Sequence, residues 1–195
     1  MTHLPHVLRS SSAAMMLLVV SVGVNVLQTR RILALVDPPP VTNVVGHAAT
    51  PIHATSLSGE PVTITVGDGA PTLLYYFSPT CVFCERNWNN VRALSRSAHG
   101  HFRIVALAAE NGRDLADFVR EHTLTMEVYG GVSAATRDAY GLRGTPHSVV
   151  ISSQGLISHE WEGVYTGRTA TQIERLFDVV LPGLPSAHAE ATPRR

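Results

Sequence analysis

At 195 residues with 45% hydrophobic composition, the chain has material for one ordinary domain with a real core, plus tails. Its 15 basic residues, all arginine, balance 15 acidic ones. A formal net charge of zero removes the electrostatic argument for nucleic acid or an anionic membrane surface as partner.

In chain order, the first feature is an uncharged run from Ser10 to Thr29. At about 1.5 Å per residue, a helix of that length matches the roughly 30 Å hydrocarbon core of a bilayer. Residues 1–31 therefore read as a membrane anchor. The alternative is a cleaved signal peptide, with Arg9 as its basic start, Ala13 to Val20 as its apolar stretch and Ser21-Val22-Gly23 as the small-residue site. Arg9 lies before the run and Arg30 and Arg31 after it, so charge does not fix the orientation. Residues 32–45 contain the three prolines Pro38 to Pro40 and show no helical period, which predicts a semi-rigid linker. Residues 46–184 are expected to be the folded domain. Residues 185–195, rich in Pro and Ala with little to bury, read as a disordered tail.

Within the domain, β-rich and helical patterns interleave. Strands are predicted at "PVTIT", "TLLYYF", "FRIVALAA", "MEVY", "HSVVIS" and "LISHEW". Helices are predicted after Cys81, around Leu115 to Val119, from Ser133 to Tyr140, and at the end. "SSQG" between Ile151 and Leu156 predicts a hairpin turn, so the late strands are antiparallel. Thr171 and Glu174 have the spacing of a capping box opening the last helix, whose apolar stripe would be Ile173, Leu176, Phe177 and Val180, with a stop at Pro182.

The chemistry is concentrated in "SPTCVFCERNW". Cys81 and Cys84 are the only cysteines of the chain. A bridge closing so short a loop removes little chain entropy and is a poor structural staple. The strand "TLLYYF" followed by the turn Ser78-Pro79-Thr80 puts Cys81 at a helix N-terminus. Unpaired N–H groups and the helix dipole there stabilise a thiolate and lower a thiol pKa from about 8.5 to about 7 or below. Cys84 falls in line with Trp88 and Val91 on the core-facing side, where it is shielded and harder to ionise. One sulfur attacks and the other resolves.

The strand-turn-CxxC-helix resembles the thioredoxin superfamily, and within it the membrane-tethered, extracytoplasmic thiol-disulfide oxidoreductases (redoxins) of the TlpA and ResA type. The resemblance runs through "ATPIHATSLSGEPVTI", "PTLLYYFSPTCVFC", "YGLRGTPHSVVISSQG" and the apolar N-terminus. It implies a thioredoxin-like α/β fold: a central mixed sheet flanked by helices, with an N-terminal β-hairpin and an N-terminal transmembrane helix. It further implies a cis Pro146, with Thr145 and Pro146 presenting backbone to a substrate strand beside Cys81. The implied function is electron exchange with cysteines of extracytoplasmic proteins, with no bound cofactor, recharged by a membrane or periplasmic electron donor. The domain would then lie in the periplasm or outside the cell. Three departures stand out: Thr80 where a tryptophan is usual, Asn87 where several relatives carry an acid, and no buried acid in "TLLYYF". Glu85 and Glu110 are the candidates left to deprotonate Cys84.

Other chemistries compete for the same residues. Zinc needs four ligands, and the chain has no second CxxC. Soft Cu(I) favours thiolates, so a metallochaperone using Cys81, Cys84 and His147 stays open, as does a non-catalytic binding module. The peroxiredoxin pattern requires a proline at position 74 or 77, which are Leu and Phe.

Overall fold

The computed structural model describes residues 6–35, 43–98 and 100–184. The chain falls into two compact units, divided between Thr42 and Asn43. Half of the expected linker, residues 36–42, and the whole of the expected tail lie outside the described residues.

The first unit is helix α1, His6–Leu35. Its stretch Ala13–Arg31, with a mean hydropathy of 1.5, is long and apolar enough to cross a membrane. The helix continues past Arg31, where the sequence had suggested the linker would start.

The second unit has a thioredoxin-like α/β fold, built from β1 (Ile52–Thr55), β2 (Pro61–Ile64), β3 (Thr72–Phe77), α2 (Val82–Ala98), β4 (Arg103–Ala108), α3 (Arg113–Glu121), β5 (Glu127–Tyr129), α4 (Ala134–Ala139), β6 (His147–Ile151), β7 (Ile157–Glu162) and α5 (Gly167–Phe177). Five strands form one mixed sheet in the order β5-β4-β3-β6-β7. β3 runs parallel to β4 and antiparallel to β6. β1 and β2 make the separate N-terminal hairpin. Every residue of "TLLYYF" is buried, as an uninterrupted apolar run in a central strand requires.

Alternation along β3 then sorts the core into two layers. Leu73, Tyr75 and Phe77 face a layer made with Cys84, Trp88, Val91 and Leu94 of α2, Leu115 of α3 and Ile173 of α5. Leu74 and Tyr76 face the other, with Ile52, Ile64, Val105, Val149, Tyr140 and Leu142. Val44 is buried in this second layer, so packing reaches ahead of Gly46. The hairpin is tied to the end of β5 by paired backbone bonds between Thr55 and Gly130. At the β6–β7 turn Gly155 has φ 75°, and its backbone lies so close to Gly67 that a Cβ on Gly67 would sit 2.3 Å from the Gly155 Cα.

One boundary differs from the sequence reading. Helix α5 begins at Gly167 after Thr166. Thr171 is therefore mid-helix, and its hydroxyl bonds back to the Gly167 carbonyl at 3.2 Å instead of capping. The helix ends at Asp178, which adopts left-handed geometry, and Val180, expected in the apolar stripe, is 85% exposed. The capping-box spacing is satisfied by chance inside a helix whose start is set by the Gly163–Thr166 connection.

Candidate active site at the β3–α2 junction

β3 stops at Phe77 and the chain turns through Ser78, whose carbonyl accepts from the Cys81 amide at 3.2 Å. The Ser78 hydroxyl accepts from the Thr80 amide at 3.2 Å and donates to Glu110 Oε1 at 2.7 Å, which fixes the turn from both sides. The Cys81 carbonyl accepts the Glu85 amide at 3.0 Å as the first helical bond of α2. That makes Cys81 the N-cap residue. Its sulfur takes the role a serine oxygen usually plays, accepting the Cys84 amide at 3.4 Å.

The two sulfurs sit in different surroundings. Cys81 is partly exposed, while Cys84 is fully buried. Burial pushes the Cys81 thiol up, but side-chain hydrogen bonds from Thr145 and Cys84, and the Cys84 and Phe83 amides, outweigh it and leave the pKa lowered. The Thr145 carbonyl lies 3.4 Å from Cys81 Sγ and accepts from the neutral thiol. For Cys84, burial dominates: its thiol is pushed up to about 12, although the Ser78 amide favours the thiolate. Between them, Val82 and Phe83 are 70% and 57% exposed, an apolar rim beside the accessible sulfur.

Thr145 and Pro146 lie at this site. The Thr145–Pro146 peptide is cis. The Pro146 carbonyl accepts from Gly163 N at 2.8 Å, anchoring the loop to the strand pair β6–β7.

His147 is not brought to the sulfurs, which corrects the copper reading. It is the register partner of Tyr76, so it shares the face of β3 opposite the one that packs on Cys84. Its ring is buried against β7, with Nε2 3.0 Å from Glu160 Oε1 and Nδ1 3.7 Å from Glu162 Oε1. Neither nitrogen completes a well-aligned hydrogen bond. Burial lowers the His147 pKa despite the two carboxylates, which pull it upward. Among the described residues no group of three His, Cys, Asp or Glu side chains is placed to hold a metal ion.

Of the two carboxylates considered as bases for Cys84, Glu110 accepts from the Ser78 hydroxyl, and the exposed Glu85 lies 3.6 Å from His122 Nε2. The sequence reading noted Asn87 only as a replacement for an acid and did not name Asn90; both amides are fully enclosed. Their one available signal was position, since Asn87 and Asn90 follow Cys84 at the spacing of its own buried helix face.

A solvent-facing, acidified thiol at a helix N-terminus, backed by a buried one three residues on, defines the site as a CxxC dithiol on a thioredoxin-like fold. Known proteins with the same architecture include the thioredoxin domain of a thiol-disulfide oxidoreductase from Bacteroides vulgatus (TM-score 0.55, 16% identity, covering 68% of this chain and 97% of that one). A secreted Mycobacterium tuberculosis disulfide oxidoreductase homologous to E. coli DsbE has TM-score 0.51 and 20% identity, over 65% of this chain and 93% of that one. In sequence, the chain is similar to the methylamine utilization protein MauD of Methylobacillus flagellatus, with 25% identity over 141 residues, which is 71% of this chain and 65% of the relative. The match thus spans less than two thirds of the curated relative's length. No protein-family model matches the chain.

Proposed function

We propose that the chain is a protein thiol-disulfide oxidoreductase, held at a membrane by α1, with the domain of residues 46–184 working in the periplasm or outside the cell. Cys81 is the attacking sulfur and Cys84 the resolving one. The observation that carries this reading is their asymmetry: an exposed N-cap sulfur with a lowered pKa, and a buried sulfur with a raised one. Thiolate attack by Cys81 on a partner disulfide gives a mixed disulfide, and attack by Cys84 on the Cys81 sulfur releases the reduced partner. The reverse sequence oxidises a partner dithiol. The Thr145 carbonyl beside Cys81 supports a role for Thr145 and Pro146 in aligning an extended substrate segment, whose side chains would meet Val82 and Phe83. Electrons come from, or go to, a membrane or periplasmic dithiol partner, and the cycle needs no cofactor.

Replacing Cys84 with Ser removes the internal exit from the mixed disulfide. In cells, Cys84→Ser should accumulate reductant-sensitive adducts with partner proteins on non-reducing electrophoresis, and Cys81→Ser should not. Adducts on Cys81→Ser, or none on Cys84→Ser, would reject these roles.

A further inference from the structure

Helix α1 carries a pattern that crossing a membrane does not require. In its apolar stretch Ala13–Arg31, the only polar side chains before Thr29 are Ser21, Asn25 and Gln28. Spaced by four and then three residues, at about 100° per residue, they fall within an arc of about 60°. Every other residue from Ala13 to Leu27 is Met, Leu, Val, Ala or Gly. A helix surrounded only by lipid gains nothing from such a stripe. The stripe also lies deep. Val22 is the midpoint of the stretch, and at about 1.5 Å per residue Asn25 is roughly 4.5 Å beyond it, inside the hydrocarbon. Asn25 donates one Nδ2 hydrogen to the Ser21 carbonyl at 2.8 Å. Its amide has a second N–H and an acceptor oxygen, and among the described residues neither has a partner. In hydrocarbon that costs free energy, which only another protein segment can offset.

We infer that α1 pairs within the membrane with the α1 of a second copy of this chain, in the same direction, with Ser21, Asn25 and Gln28 at the contact. The inference rests on reading α1 as a membrane anchor. Two copies inserted alike present each polar residue to itself at one depth, around a two-fold axis. The free Nδ2 hydrogen of one Asn25 then meets the free Oδ1 of the other, and both amides are satisfied. A helix from a different protein would need donors and acceptors matched to these depths, whereas a second copy carries them by construction. Ala14, at seven residues before Ser21, lies in the same arc. Its small side chain and that of Ser21 let the two backbones approach.

The test uses the full chain in membranes, with Cys81 and Cys84 replaced by serine and one new cysteine at a time in α1. Oxidation with copper phenanthroline followed by non-reducing electrophoresis reads contact between copies. Ser21→Cys and Gln28→Cys should give disulfide dimers, and Val19→Cys and Val26→Cys, on the far side of the helix, should give few. Adding Asn25→Leu, which keeps the helix apolar enough to insert, should slow dimer formation by Ser21→Cys about three- to tenfold, the effect of losing hydrogen bonds between helices in a membrane. Equal dimer yields on both sides, no dimers, adducts with a different protein in their place, or a rate unchanged by Asn25→Leu each overturn the pairing. An intact mass showing that the isolated chain has lost α1 would instead overturn the anchor reading.

Discussion

A sulfur in the N-cap position does what a serine oxygen does there, accepting an amide that the helix cannot bond internally, and it does so better as a thiolate. Cys81 is such a sulfur, with the Cys84 amide 3.4 Å away. Reduced chain treated with a haloacetamide at neutral pH should therefore be labelled at Cys81 well before Cys84. The labelling rate should rise with pH through a midpoint below that of a free thiol, because hydrogen bonds to the thiolate lower the Cys81 pKa against the opposing effect of burial. Peptide mapping that finds the two cysteines labelled equally would contradict the asymmetry. His147 supplies a second pH-dependent effect, with Glu160 and Glu162 as its charged neighbours. Burial lowers its folded pKa, so the unfolded chain binds its proton more readily. Its contribution to stability is then complete above the unfolded value of about 6.5 and lost as pH falls through the folded one. Thermal unfolding followed from mildly alkaline to mildly acid pH should show this loss in the wild type and a smaller one in His147→Gln. Identical profiles would show that another group is responsible.

At the scale of elements, what matters is where each helix starts. α2 starts at the reactive cysteine because the Ser78–Glu110 bond and the turn stop β3 at Phe77, and its first free amides fall on Cys81. α5 starts earlier than its sequence suggests, with Thr171 inside it. Thr171→Ala should then change stability by no more than about 0.5 kcal/mol in either direction, since it removes only a back-bond to Gly167 and substitutes a better helix former. Loss of a true cap would cost about 1 kcal/mol, and a denaturant titration distinguishes the two. β3 is the element with the least freedom, buried on both faces and paired on both edges. It delivers Tyr75 and Phe77 to the layer that encloses Cys84 and Trp88, and Tyr76 to the layer that holds His147.

For the whole molecule, the proposed function carries a location: the domain is proposed to work in the periplasm or outside the cell, where disulfides persist. A fusion of the chain to a reporter that works only after export should be active, and one to a reporter that works only in the cytoplasm should be silent. The opposite pattern would reject the proposed orientation of α1, on which the flanking arginines are silent.

The parts of this protein that its sequence determined by itself are the local ones. The uninterrupted apolar run of β3, the turn residues after it, and the two-residue gap between the cysteines are enough to place one sulfur on a helix N-terminus and the other on its buried face. Helix dipole, capping geometry and burial act within a single turn, so the difference in surroundings between Cys81 and Cys84 was legible from eleven residues, Ser78 to Trp88. Tertiary structure alone decided what surrounds them. Thr145 reaches Cys81 across 64 residues of chain, and the Tyr165 amide reaches Asn87 across 78. His147 is turned to Glu160 and Glu162 because the pairing of β6 with β3 and β7 assigns it to the far face of the sheet. A sheet's period of two makes that assignment all or none, and it depends on register between strands distant in sequence, which no local pattern carries.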